Sequence, residues 1–448
     1  AGASRIFRQG GGTALPGLVA SQMSPGITSK LALQLGRGSV IVTGTNGKTT
    51  TARIIGNIMR NDGLDVVSNR SGSNLMRGVL AALVGAVSVW GKLPRASKSI
   101  GIFEVDEAHL LTAVSSLGPK AIVFTNLFRD QLDRYGEVEN ILSIWQQLVS
   151  QLDKNVTIIL NADDPSVSSL ARHSSGPVVF YGMSFDVEGR ELDHAADARW
   201  CTQCGQELTY TTITYGHLGD WSCRMCGEQR AFLDLEVKSV INDGPRGLQL
   251  QIKTPDETLD INAPLVGIYN AYNVLAALAA SASFGASRGA IEDGAYSCNA
   301  VFGRQEKLII DGKEVRIILA KNPVGLNEVI RTITVGGEPL NIAFFLNDKI
   351  ADGRDISWIW DVDFEVLSGY KHSFTVSGMR AEELALRLKY AEAESIIEIE
   401  KDPAVALTAA LARLSAGDTL YVVPTYTAML SVRKILSQWV HIDSFWEN

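Results

Sequence analysis

The chain is short of several things. Its longest apolar run, Gly78 to Trp90, covers 13 residues, whereas a spanning helix takes about 20, so no transmembrane helix is expected. Nor is there an excess of basic residues. Lys and Arg number 41 against 49 Asp and Glu, a net charge of −8, which argues against an electrostatic nucleic-acid binder. No secretory pattern opens the sequence. Only five cysteines occur in 448 residues; two disulfides are the alternative to a metal site among them, and a reducing cytosol favours the metal. Aromatics make up 7%, apolar residues 46% and charged residues 20%, the balance of a soluble globular protein. The length exceeds what one core ordinarily supports, so two or three domains are expected.

Four of the few cysteines stand together as Cys201, Cys204, Cys223 and Cys226. The C-x₂-C-x₁₈-C-x₂-C spacing suits two knuckles donating two thiolates each to a tetrahedral Zn²⁺. Four sulfurs close the coordination shell, so the metal is expected to be structural. Cys298 stands alone and is expected to be buried.

The most specific segment is Gly44-Thr45-Asn46-Gly47-Lys48-Thr49-Thr50. It follows the β-branched run Val40-Ile41-Val42 and precedes a helical pattern from Thr51 to Met59. A strand, a Gly-rich turn and a helix N-terminus form a cradle whose backbone N–H groups face an anion. Lys48 supplies a positive charge, and a threonine hydroxyl is a ligand for Mg²⁺. Val42 stands where the widest form of the pattern has a glycine. The implied ligand is a nucleoside triphosphate.

Short apolar runs alternate with helical stretches from Val40 to about Ala300. Ile102 to Val105, Ala121 to Phe124 and Val156 to Leu160 read as strands, and Val138 to Leu152 as a helix. That alternation predicts an α/β fold with a parallel-rich sheet covered on both faces, with ligands at the carboxyl ends of the strands. Residues 1–38 read as an N-terminal arm, 39–302 as the nucleotide-binding domain and 199–230 as a Cys₄ insertion within it. Residues 303–448 read as a smaller α/β domain, with strands at Val315 to Leu319, Ile342 to Leu346 and Thr419 to Val423 and a helix from Ala381.

Glu104, at the end of the second strand, is placed to ligate Mg²⁺ with Thr49, because hard cations take oxygen ligands. Asn270 and Asn273, before an Ala-rich helix, suit either an adenine edge or simple helix capping. The stretch from Asp348 to Asp363 gathers Asp348, Asp352, Arg354, Asp355, Asp361 and Asp363 around Trp358 and Trp360. Its composition allows metal binding, partner contact or catalysis.

Together these residues resemble the Mur ligase superfamily. The resemblance covers nearly the whole chain and includes Gly44 to Thr50, Glu104, Thr125-Asn126, Asn161 to Pro165, Gly267 to Asn273 and Gly303-Arg304-Gln305-Glu306. Four further features resemble the branch that supplies the synthetase subunit of lipid II isoglutaminyl synthase. They are the Cys₄ insertion, the string from Asn126 to Gly136, Lys321-Asn322-Pro323, and Asp352 to Trp358.

This resemblance implies that Gly44, Thr45, Asn46, Gly47, Lys48, Thr49 and Thr50 hold the ATP phosphates, with Thr49 and Glu104 on Mg²⁺. Asn270 and Asn273 then approach the adenine, and Arg304 reaches the phosphates. The implied reaction turns the α-carboxylate of D-glutamate in the lipid II stem peptide into an acyl phosphate, which ammonia attacks. The ammonia comes from a GatD-like glutaminase partner, and Asp355 is implied to complete that partner's Cys-His pair. The implied location is cytoplasmic, at the inner face of the cell membrane.

The chain departs from ordinary members at positions that serve a second metal ion. Gln131 and Lys321 replace histidines, and no lysine occurs between Arg134 and Lys154. The phosphate loop also comes only about forty residues in, so the domain with which members of the family usually grip a UDP sugar is expected to be absent, which would suit a lipid-linked substrate. An amino-acid-adding ligase acting on folate or a murein precursor is the alternative enzyme. A zinc-ribbon nucleic-acid ATPase is the alternative outside the ligases. It calls for a basic ribbon, yet residues 199–230 carry three arginines, no lysine, one aspartate and two glutamates.

Overall fold

The computed structural model describes residues 15–24, 26–69, 74–129, 138–185, 197–242, 247–298, 304–334, 336–369, 371–392 and 396–442. The chain divides into two compact units. One comprises Ala1–Phe128, Val138–Leu192 and Asp197–Asn299; the other comprises Arg129–Glu137, Asp193–Ala196 and Ala300–Asn448. Among the described residues, no helix is long and apolar enough to cross a membrane.

The larger unit is built on a nine-stranded sheet. Its strands are β1 (Ser39–Thr43), β2 (Asp65–Ser68), β3 (Ser99–Glu104), β4 (Ala121–Phe124), β5 (Thr157–Asn161), β6 (Val178–Met183), β9 (Leu235–Asn242), β10 (Leu248–Lys253) and β11 (Thr258–Ala263). A separate hairpin supplies β7 (Thr209–Tyr215) and β8 (Leu218–Ser222). The spatial order is β11-β10-β9-β6-β5-β4-β1-β3-β2. Pairing is parallel from β2 through to β9, and antiparallel between β9, β10 and β11.

Burial along the strands follows from their sequences. Ser-Val-Ile-Val-Thr in β1 is buried at every position, as are β3 and β4. Both faces of the sheet centre are therefore covered, as expected of parallel strands rich in Val and Ile. Leu-Gln-Leu-Gln-Ile-Lys in β10 alternates buried and exposed, and β11 does the same. That edge has one wet face. The parallel part matches the sheet predicted from the sequence; the antiparallel extension was not anticipated there.

Register decides where the functional groups emerge. Val42 of β1 pairs with Glu104 of β3, and Thr43 pairs with Phe124 of β4. The residues following β1, β3 and β4 therefore leave the sheet side by side at its carboxyl edge. Helix α1 (Lys48–Asn61) starts there, and α2 (Val138–Ser150) and α3 (Ile268–Ser283) also belong to this unit.

The smaller unit holds a six-stranded sheet ordered β12-β13-β17-β14-β15-β16. These are Arg304–Ile310, Lys313–Ile318, Thr419–Pro424, Asn341–Phe345, Ser373–Ser377 and Ile396–Ile399. Only the β12–β13 hairpin is antiparallel. Successive residues of β14 point to opposite faces. Ile342 and Phe344 enter one apolar cluster with Leu326, Phe364 and Leu384, and Ala343 and Phe345 enter another with Leu407, Met429 and Val432.

Candidate functional site

The turn after β1 is built by two glycines that no other residue replaces. Gly44 has φ 129° and Gly47 φ 88°, the region that L side chains avoid. A Cβ on Gly44 would lie 2.1 Å from Thr125 Oγ1, and one on Gly47 would lie 2.0 Å from Asn273 Oδ1. The loop is thus wedged between the segment after β4 and helix α3.

Cross-bonds fix it further. Asn46 N donates to Asn126 Oδ1 at 2.8 Å, and Thr45 N to Asn126 O at 3.0 Å. Phe128 N donates to Thr45 Oγ1 at 3.0 Å. Thr125 Oγ1 and Asn126 Nδ2 both donate to Asn46 O. Asn126 serves as a strut for the loop, which its position after a strand made plausible without specifying.

Lys48 is buried and folds back on its own loop. Its Nζ donates to Gly44 O, to Thr45 O at 3.2 Å and to both carboxylate oxygens of Glu107 at 3.1 Å. Glu107 is itself buried, at 6% exposure. A buried charge this close to another is tolerable because each satisfies the other. Thr49 Oγ1 donates to Glu104 Oε2 at 2.8 Å, so the two oxygen groups expected around Mg²⁺ are in contact. Both are hard donors of the kind Mg²⁺ takes. Glu104 is held by Asn69, which accepts from its N–H at 3.0 Å and donates to its carbonyl at 2.9 Å. Sequence reading did not single out Asn69. Nor did it foresee Glu107 as the partner of Lys48, and the only signal for it was a third acid in Glu104-Val105-Asp106-Glu107.

Asn270 and Asn273 are both buried. Asn273 Nδ2 donates to Asn270 Oδ1 at 2.9 Å, and Asn270 Nδ2 to Val266 O at 2.7 Å. The pair joins the start of α3 to the loop, with Asn273 Oδ1 against Gly47 and 3.5 Å from Thr51 Oγ1. The side chain of Arg304 and residues 130–137, with Gln131, lie outside the described residues.

The four cysteines converge. Cys201 and Cys226 sulfurs lie 3.6 Å apart and those of Cys204 and Cys223 3.5 Å, with all four within 4.8 Å of one another. Tetrahedral Zn–S bonds of about 2.3 Å span edges of roughly 3.8 Å, so the cluster fits zinc. A backbone hydrogen bond from Cys226 holds the Cys223 thiol down at about 6. Cys298 is buried, and burial raises its thiol to about 11, the character of an inert side chain.

In the smaller unit, Asp352 is buried and structural. It accepts from Thr427 N at 2.7 Å, from Thr427 Oγ1 and from Lys349 N at 3.3 Å, fixing the start of helix α4 (Tyr426–Leu436). Asp355 is exposed and accepts from Ser357 N at 2.8 Å, which keeps its carboxyl below the usual range. Its two oxygens thus sit at the surface in ionised form.

Comparison with known proteins adds family evidence. Residues 42–228 match the Mur ligase middle domain family and residues 319–429 the MurT ligase C-terminal family. The chain is 37% identical to the lipid II isoglutaminyl synthase (glutamine-hydrolyzing) subunit MurT of Staphylococcus aureus (strain COL), over 87% of this chain and 86% of that protein. It is 33% identical to the subunit of the same name from Streptococcus pneumoniae (strain ATCC BAA-255 / R6), covering 96% and 94%. In fold it is similar to a pseudomurein peptide ligase type C from Methanothermus fervidus, with TM-score 0.68, 21% identity, and 90% and 78% coverage. It is also similar to E. coli FolC in complex with DHPP and ADP, with TM-score 0.60, 17% identity, and 92% and 93% coverage.

Proposed function

The chain belongs to the MurT family of lipid II isoglutaminyl synthase subunits and is an ATP-dependent ligase of peptidoglycan synthesis, and on that premise we propose that it amidates the α-carboxylate of D-glutamate in the lipid II stem peptide. The product is D-isoglutamine, and the nitrogen is ammonia from a GatD-like glutaminase subunit. The reaction runs in the cytoplasm at the inner face of the cell membrane, where ATP meets a lipid-linked substrate.

A carboxylate is a poor electrophile, so it is first activated. One carboxylate oxygen bonds to the γ-phosphorus of ATP while the bond from that phosphorus to ADP breaks, giving an acyl phosphate. The nitrogen lone pair of ammonia then attacks the acyl carbon. Inorganic phosphate leaves with the acyl C–O bond pair, and a proton leaves the nitrogen to give the amide.

Each described residue of the loop has a part. Gly44 to Thr50 present backbone N–H groups to the phosphates. Lys48 exchanges Glu107 for the β- and γ-phosphates, where its charge offsets that developing on the transferring group. Thr49 and Glu104 hold Mg²⁺, which supplies further charge neutralisation when bound. Asn270 and Asn273 border the adenine, and Arg304 is the further cation proposed for the phosphates. Zn²⁺ in the Cys₄ cluster is structural. Asp355 is offered to the partner: an aspartate on a histidine fixes the imidazole tautomer and supports its charged form.

The observation that carries the reading is the loop itself, with Lys48 on Glu107 and Thr49 on Glu104. The test is ATP hydrolysis coupled to amide formation on lipid II with ammonium as the only nitrogen source. Amidated lipid II with one ADP per amide is the expected result. A requirement for an added amino acid would replace this reading with an amino-acid-adding ligase.

A further inference from the structure

The Cys₄ module is more than an appended knuckle. Its hairpin, β7 and β8, rises directly between the two cysteine pairs: Cys201 and Cys204 precede β7, and Cys223 follows β8. The tip, Tyr215-Gly216-His217-Leu218, turns tightly at Gly216, φ 57°. All of its large side chains are buried, with Tyr215 at 3% exposure and His217 at 1%.

The tip is buried against the nucleotide loop and its neighbours. Asn46 Nδ2 donates to the Tyr215 hydroxyl at 3.4 Å. The Tyr215 ring meets Phe128 edge-on at 5.3 Å and lies 6.3 Å from Tyr269 and 6.5 Å from Tyr272 of α3. His217 packs on Phe128 at 4.5 Å, with its Nε2 3.5 Å from Asp164 Oδ2. Asp164 Oδ2 also accepts from Leu127 N at 2.8 Å. Phe128 in turn is bonded through its backbone to Thr45. One short tip therefore reaches the phosphate loop, the segment after β4 and the start of α3.

The stem of the hairpin is anchored just as firmly. Trp221 Nε1 donates to Ala162 O at 3.0 Å, Gly219 N to Asp163 O at 3.0 Å, and Arg230 Nη1 to Asp163 Oδ1 at 3.0 Å and Met183 O at 2.7 Å. Thr214 Oγ1 is bonded to the Tyr272 hydroxyl, which donates to Asp163 Oδ2 at 2.7 Å. Such a network is costly to leave half satisfied, so it holds the tip in one place.

From this geometry we infer that Tyr215 is a positioning residue for the nucleotide loop, and that the metal-bound ribbon braces that loop through it. Tyr215 acts on ATP through Asn46 and Phe128. The inference rests on the reading of the loop as the ATP site. Ring and hydroxyl make separable contributions: the ring backs Phe128, and the hydroxyl accepts from Asn46. Loss of the metal frees both ends of the hairpin, so it should loosen the same loop.

The test compares wild type, Tyr215→Phe and Tyr215→Ala in the full protein with its partner subunit. Readouts are zinc content, calorimetric binding of a Mg²⁺-bound non-hydrolysable ATP analogue, hydrogen exchange of residues 44–50, and ammonium-driven steady-state kinetics. Tyr215→Phe should weaken nucleotide binding by about 2- to 10-fold, the worth of one neutral hydrogen bond. Tyr215→Ala should weaken it further and speed exchange at 44–50. In both, KM for ATP should rise with kcat within about twofold and zinc retained, a split expected when binding alone is disturbed. Equal nucleotide affinity and exchange in wild type and Tyr215→Ala would overturn the inference. So would a fall in kcat accompanied by zinc loss, which marks a merely structural residue. A wild type that binds no analogue would defeat the ATP-site reading itself, a distinct outcome.

Discussion

The phosphate loop and Asp355, within the polar Asp348–Asp363 stretch, both follow a buried strand, yet Lys48 and Asp355 are held in opposite ways. Around Lys48 and Thr49 nearly every polar group is buried and bonded to a neighbour from another strand or helix. Asp355 itself bonds locally, to Ser357, and its carboxylate faces outward, whereas its neighbours Asp348, Asp352 and Asp363 are tied to Arg380, Thr427 and Asn327. Burial and cross-bonding are what preorganisation requires of the loop in the charge-neutralising role proposed for it. An ionised, surface-facing acid with only a local partner has no such self-contained task. It suits a group whose counterpart comes from another chain.

That contrast can be broken experimentally, beginning with the exposed side. Asp355→Asn in the complex should lower glutamine-driven amidation by about 10⁴-fold, the size seen when a triad aspartate is neutralised. Ammonium-driven amidation should stay at the wild-type rate. Equal losses with both nitrogen sources would erase the difference between the two regions.

Lys48→Met should lower both activities alike, by about 10³-fold, as expected for a charge aimed at the transferring group. It also leaves Glu107 as a buried acid without its cation, so Lys48→Met with Glu107→Gln should recover thermal stability but not rate. Recovery of rate in the double variant would assign the effect to folding.

Glu104→Gln should cost about 10²-fold in both activities and raise the Mg²⁺ concentration needed for half-maximal rate. An unchanged Mg²⁺ requirement would remove Glu104 from the ion.

A further effect, on stability and not on rate, concerns the support beneath the ribbon. Asp163 is fully buried, and burial lifts its carboxyl from 3.8 to about 6, with Arg230 and Tyr272 opposing the shift. The native state therefore holds that proton where the unfolded chain has released it. Stability falls as pH rises from about 4 to about 6 and is flat above, with a total change of about 3 kcal/mol from this group. Thermal midpoints across that range should show the slope, and Asp163→Asn should flatten it.

Much of this was legible in the sequence because strong local signals carried it. Glycines that tolerate positive φ, a lysine at a helix start and β-branched strands each specify their own conformation, and the C-x₂-C pairs carried the convergence of the four cysteines. The antiparallel strands β10 and β11 were missed although their sequences alternate with period two. What could not be read was pairing across the fold. Glu107 with Lys48, Asn69 with Glu104, and Tyr215 with Asn46 lie 59, 35 and 169 residues apart, and no local pattern encodes such contacts. Asn270 and Asn273 show the same limit. Composition left an adenine edge and helix capping both open, and their described bonds run to Val266, between the pair and to Thr51.

The central claim is that a triphosphate takes Lys48 away from Glu107. Calorimetric titration of wild type and Lys48→Met with a Mg²⁺-bound non-hydrolysable ATP analogue tests it most directly. The account predicts one site per wild-type chain and a loss of at least about tenfold in affinity in the variant, the equivalent of about 1.4 kcal/mol. No binding by wild type, or equal binding by both, would contradict it.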